Sequence, residues 1–208
     1  MNKTTTFWFG IFGVILFIIP TVLGGFQFET YSHISQFISE SYASGTPYGI
    51  YMRLLGLIPS GILIALFAFS ASKLLPKPRL AKISLIGFGL FYGIGTIIVG
   101  VFPCDTGCNK EFINPSISQI IHNSSGALTY LFVPACVILI GIGSRKWNNG
   151  KSISILSIVC GAAALGFSLM LSNDPTGDYI GLFQRIIESF MLFWLINFAF
   201  YIKNYKHA

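Results

Sequence analysis

Residues 102–123 read FPCDTGCNKEFINPSISQIIHN and separate two long apolar stretches. Pro103 closes the stretch before it, because proline has no backbone N–H to continue a helix. Cys104 and Cys108 follow at C-x3-C spacing, with Asp105 beside the first of them, and His122 sits at the start of the next apolar run. The spacing can close a small disulfide if the turn at Thr106 and Gly107 brings the two Cβ atoms together. A metal site is the alternative, with Asp105, His33 and His122 as further ligands. Zinc motifs more often read C-x2-C or H-x3-H, so no metal is assigned, and the sequence names no cofactor.

Outward from this stretch, the chain is dominated by apolar runs. It has 208 residues, of which 53% are hydrophobic and only 10% charged. Soluble domains carry about 25% charged residues, so lipid is the expected solvent. A membrane helix needs about 20 mostly apolar residues, and six runs qualify: Phe7–Gly25, Ile50–Ser72, Ile83–Pro103, Gln119–Ser144, Ile153–Ser172 and Ile180–Ile202. Lipid offers the backbone no partners, so each should be helical. The expectation is an all-α membrane protein, one six-helix domain over residues 1–208. The first run could be a signal peptide, but its basic region is only Lys3 and no convincing cleavage site follows, so it reads as a retained helix.

Orientation follows from basic residues. With Met1 inside, the cytoplasmic loops hold Lys3, Lys73, Lys77, Arg79, Lys82, Arg145, Lys146, Lys151, Lys203 and Lys206, ten of the thirteen. All seven acids fall on the other half: Glu29, Glu40, Asp105, Glu111, Asp174, Asp178 and Glu188. The expectation is a multi-pass protein of the cell membrane with both termini cytoplasmic. The net charge of +6 does not point to nucleic acid, because the basic residues sit in short loops between spans.

Several polar residues stand at the outer ends of the spans. In the first outer loop, Ser32–Glu40 reads SHISQFISE. At about 100° per residue, Ile34, Phe37 and Ile38 share one face and His33, Gln36 and Glu40 another, which suits a short interfacial helix or a lid. A solvated amphipathic turn is the alternative. Arg53 lies about one turn inside the second span, where it either snorkels to the headgroups or finds a partner. Gly89 and Gly93 in the third span make a small-xxx-small pair that admits close helix contact. The sixth span opens with Gln184, Arg185 and Glu188, and the last two could pair at i, i+3.

These residues resemble the DUF998 family of prokaryotic six-helix membrane proteins. The resemblance rests on S-x-x-I-S-E at Ser35–Glu40, G-x-F-P-x-D at Gly100–Asp105, the histidine His122 opening the fourth span, and G-x-x-Q-R at Gly181–Arg185. It covers nearly the whole chain and implies the six-helix fold and a shared polar set of Ser39, Glu40, Asp105, His122 and Arg185. The cysteine pair lies outside that pattern, and the family carries no known activity.

Topology puts these ionisable groups at one depth, and converging charges in an apolar bundle mark a site. The expected partners are membrane lipids and a lipid headgroup or small anionic ligand, bound in an outward-facing pocket by His33, Arg53, Gln184, Arg185 and Glu188. In that pocket Arg53 and Arg185 should meet the acids. The second expectation is a membrane-embedded hydrolase or transferase. There His122 would be the base, oriented by Asp105 or Glu40, with Ser39, Ser125 or a water as nucleophile.

Overall fold

The computed structural model describes residues 2–75 and 78–205. Lys77 and Lys206, counted above among the cytoplasmic basic residues, lie outside the described residues. Six long helices form: α1 (Lys3–Leu23), α2 (Gly49–Leu74), α3 (Arg79–Val101), α4 (Ile117–Ser144), α5 (Gly150–Asn173) and α6 (Ile180–Asn204). All six are long and apolar enough to cross a membrane. No strand occurs among the described residues. The hydropathy runs locate each helix but miss some of the first turns, because polar caps set those starts. Asn2 accepts the Thr5 N–H at the head of α1, and Ser116 accepts that of Gln119 at the head of α4.

The helices make a closed ring in which each packs on the next and α6 returns to α1. Trp194, Phe198, Phe88, Phe67, Ile64 and Ile187 fill the centre. The Phe88 and Trp194 rings lie 4.9 Å apart, and the indole N–H of Trp194 donates to Ser157 Oγ at 2.8 Å. Both chain ends lie at one end of the ring, where the Lys3 ammonium donates to the Tyr205 carbonyl. The loops 24–48, 102–116 and 174–179 lie at the other, called here the cysteine end. Outside the ring, Phe12, Ile15, Leu55, Leu131, Val159 and Phe193 are exposed, an apolar surface suited to lipid.

The α2–α3 contact is closer than side chains would allow. A Cβ on Gly61 would lie 2.6 Å from the Gly93 carbonyl oxygen, and one on Gly93 2.6 Å from the Ala65 nitrogen. Gly89 packs on Ala68 and Phe69, so the small-xxx-small pair lies on the packing face. Each of these helices holds a π turn, Arg53–Leu57 in α2 and Gly89–Ile94 in α3. Such turns shift the side-chain register of a helix and recur at functional sites.

The first loop departs from expectation. Residues 32–37 form turns rather than an amphipathic helix, followed by a 3-10 helix at Ile38–Tyr42. Ile38, Ser39, Glu40, Ser41 and Tyr42 are buried, so this part of the segment folds back against the helices, as a lid would. The reason is competition for backbone groups: tertiary partners on α6 take the carbonyls of His33 and Gln36 and the N–H of Ile38, which a helix would pair within itself.

Gly93→Leu should therefore collapse the yield of monodisperse protein several-fold and lower the thermal midpoint, whereas Gly166→Leu should leave both near wild type. A Cβ at Gly166 meets nothing within 4 Å. Size-exclusion chromatography and thermal unfolding in detergent measure the pair.

Candidate functional site

At the cysteine end, Cys104 and Cys108 are bridged, with Cα atoms 4.8 Å apart. Gly107 supplies the turn at φ +67°, a left-handed conformation that glycine adopts freely. The bridge packs against Ala43, and the Ser44 N–H donates to the Cys104 carbonyl at 2.8 Å, joining this loop to the first. With both sulfurs joined, the thiolates required by the metal alternative are absent. Among the described residues no three His, Cys, Asp or Glu side chains gather as metal ligands.

Asp105 turns toward the head of α4. Its Oδ2 accepts the Ser116 N–H at 3.0 Å and its Oδ1 the Ser116 hydroxyl at 2.5 Å. Those hydrogen bonds hold the carboxyl below its ordinary range. Gln119, fully buried, ties the same loop: Oε1 accepts the Asp105 N–H at 2.7 Å and Nε2 donates to the Cys108 carbonyl at 3.1 Å. His122 is buried, and its Nδ1 lies 2.9 Å from the Phe102 carbonyl oxygen. The expected bond from His122 to Asp105 or Glu40 does not form, because each of those carboxylates already serves a backbone group in its own loop.

Glu40 carries the ion pair found among the described residues, with Lys110 Nζ 2.9 Å from Oε1. The same oxygen accepts the Phe37 N–H at 2.8 Å, and Gln36 Nε2 donates to Oε2 at 3.1 Å. Ser39 Oγ lies 3.2 Å from Cys108 Sγ. Ser39 and His122 both line an open groove of about 310 Å³ with Lys110, Asn123 and Gln184. No hydrogen bond joins the two.

The arginines separate rather than converge on the acids. Arg185 Nη1 donates to the carbonyls of Gln36 and His33 at 2.8 Å and of Gly181 at 3.0 Å, and Nη2 donates to the Tyr31 hydroxyl at 2.8 Å. It pins the first loop to the head of α6, and the i, i+3 pair with Glu188 is not made. Side chains on a helix lean toward its N-terminus, which carries Arg185 to the loop while Glu188 points into the ring. Arg53, on the π turn of α2, donates to the carbonyls of Gly49 at 3.3 Å and Gly100 at 3.4 Å. The latter is one of the carbonyls left open at the end of α3.

Glu188 is 7% exposed and receives two tyrosines. Tyr92 of α3 donates to Oε2 at 2.7 Å and Tyr130 of α4 to Oε1 at 3.0 Å. The polarity is set from the backbone. The Ile38 N–H can only donate, so Gln184 presents Oε1 to it at 2.6 Å and Nε2 to the Tyr130 hydroxyl at 2.9 Å. Tyr130 then has its own proton free for Glu188. Beside this chain lies a cavity of about 70 Å³, whose lining includes Phe17, Tyr42, Tyr92, His122, Tyr130 and Glu188. The sequence reading named Gln184, His122 and Glu188 but not the tyrosines. The available signal was a hydroxyl at Tyr92 on the face that Gly89 and Gly93 mark as packed, where a buried O–H needs a partner.

On the far side of Glu188, a groove of about 520 Å³ runs between α1 and α6. Arg185 and His33 line it beside apolar Ile18, Val22, Leu192 and Phe193. Its residues Ile18, Val22 and Phe193 belong to the exposed apolar surface.

A strand-free ring of six apolar helices with its polar groups paired internally defines a multi-pass helical membrane protein. Within that class the chain belongs to the DUF998 family, described as a protein of unknown function, whose pattern matches residues 11–201. No curated protein and no solved structure matches it.

The lowered carboxyl of Asp105 gives a signed pH dependence. A group depressed in the folded state adds stability above its unfolded value, about 3.9, and loses it as pH falls through the folded value. The thermal midpoint of wild type should fall on acidification below about pH 4, and Asp105→Asn should remove part of that fall while lowering the midpoint at neutral pH. Thermal unfolding of both proteins across this acidic range gives the comparison, and parallel curves would show that Asp105 does not contribute.

Proposed function

We propose that this protein binds an anionic phospholipid in the groove between α1 and α6, at the outward face of a cell membrane with both chain termini cytoplasmic. The orientation rests on Lys73, Arg79, Lys82, Arg145 and Lys146 at the end opposite the disulfide, and on the oxidising side suiting the bridge. The ligand reading rests on the groove itself. It is lined by both Arg185 and apolar side chains, and it borders the surface that lipid would cover.

Arg185 has five N–H donors. The three carbonyls share the two on Nη1, and Tyr31 takes one on Nη2. The Nε–H and one Nη2–H remain for a phosphate. Burial and the neighbouring charge of Arg185 hold His33 below the ordinary imidazole range, so at neutral pH Arg185 supplies the positive charge. Binding is favoured over hydrolysis because His122, the expected base, has no carboxylate to orient it.

In nanodiscs, exchange with labelled phosphatidylglycerol should be stronger than with phosphatidylcholine, and Arg185→Gln should weaken it about tenfold, as loss of a charge-assisted hydrogen bond does. Arg185 also holds the first loop, so Thr21→Trp, which fills the groove from α1, is the second variant. It should weaken binding with little change in thermal midpoint. Unchanged exchange in both variants would overturn the assignment.

A further inference from the structure

We propose that the cavity beside Glu188 is a binding site for a small organic ammonium ion, distinct from the lipid groove. The first support is charge. Both Glu188 oxygens accept tyrosine protons, Oε2 from Tyr92 and Oε1 from Tyr130. The Tyr130 bond is fixed in direction through Gln184 by the Ile38 N–H. The ionised carboxylate, which has only acceptors, can take both tyrosine protons. Yet no cationic side chain bonds it among the described residues, and neither lysine nor arginine lines the cavity. A buried charge without a counter-charge is strongly disfavoured.

The second support is the wall. Phe17 from α1, Tyr42 from the first loop, Tyr92 from α3 and Tyr130 from α4 surround the space, and aromatic faces attract ammonium groups. Among the described residues, the other titratable group lining it is His122. The Tyr42 hydroxyl makes no hydrogen bond among the described residues, although the residue is only 5% exposed and lines the cavity. Tyr42 and Glu188 therefore line the same volume. The cavity, about 70 Å³, has room for several waters, which admits ammonium or methylammonium more readily than the bulkier choline. Gly126 lines both the cavity and the open groove of Ser39 and His122. A Cβ there would meet nothing within 4 Å, so a side chain at 126 can enter the space without strain.

The test is thermal unfolding of the detergent-solubilised protein at pH 8, titrated with methylammonium chloride against sodium, potassium and choline chlorides at matched ionic strength. The midpoint should rise saturably with methylammonium and not with choline. Glu188→Gln and Gly126→Leu should abolish the response, and Tyr42→Phe should weaken it about tenfold. Thr21→Trp, which fills the lipid groove from α1 and lies outside the cavity lining, should leave it intact, so the two sites fail separately. Equal rises with all four salts, or a response to sodium or potassium without one to methylammonium, overturn the assignment. So does a wild type that binds none of them but gains stability on acidification through Glu188, because the carboxylate is then neutralised by a proton. Failure of Glu188→Gln to fold leaves the wild-type titration and Gly126→Leu to decide.

Discussion

The amide of Gln184 sets the direction of the hydrogen bonds on which the cysteine end depends. Its oxygen must face the Ile38 N–H, so its nitrogen must face Tyr130, and Tyr130 must face Glu188. One backbone donor in a loop therefore orders side chains on α4 and α6 in a region where water is scarce. In such a region a reversed or missing donor leaves a buried group unsatisfied, at about 1–3 kcal/mol each. The chain of bonds couples the seating of the first loop to the state of the central carboxylate.

That coupling explains why the first loop is not a helix of its own. Arg185 takes the carbonyls of His33 and Gln36, Gln184 takes the N–H of Ile38, and Glu40 takes the N–H of Phe37. The disulfide loop then locks over it through Ser44 and Lys110. The charged residues of this end divide into two kinds. Asp105, Glu40, Arg53 and most of Arg185 satisfy backbone groups that would otherwise be stranded, and so hold the loops. Glu188 satisfies no backbone group and faces a cavity, which makes it the residue whose chemistry the fold leaves open.

A single carboxylate forms the wall between two spaces of different character. Phe17, Ile38 and Glu188 line both the small cavity and the groove between α1 and α6. The cavity is small and aromatic with acceptor oxygens, and the groove is long and apolar with a guanidinium. Charge separates what each could hold: an anion belongs beside Arg185, a cation beside Glu188.

The sequence by itself determined the six helices, their approximate bounds, the packed glycine face of α3 and the family, because lipid forces long apolar runs to be helical and close helix contact demands small residues. It also marked Asp105, His122, Arg185, Gln184 and Glu188 as polar residues near one end. Only the tertiary structure decided which of them meet. An i, i+3 spacing allowed Arg185 and Glu188 to pair, but their side chains leave the helix toward different neighbours. The adjacency of His122 and Asp105 at one loop did not survive, since the helix cap at Ser116 claims Asp105 and the end of α3 claims His122. Tyr92 and Tyr130 were invisible as site residues because each looks like an ordinary aromatic of an apolar span. Their role comes from ring closure, which brings α3, α4 and α6 around one carboxylate, and no spacing along the chain encodes that meeting.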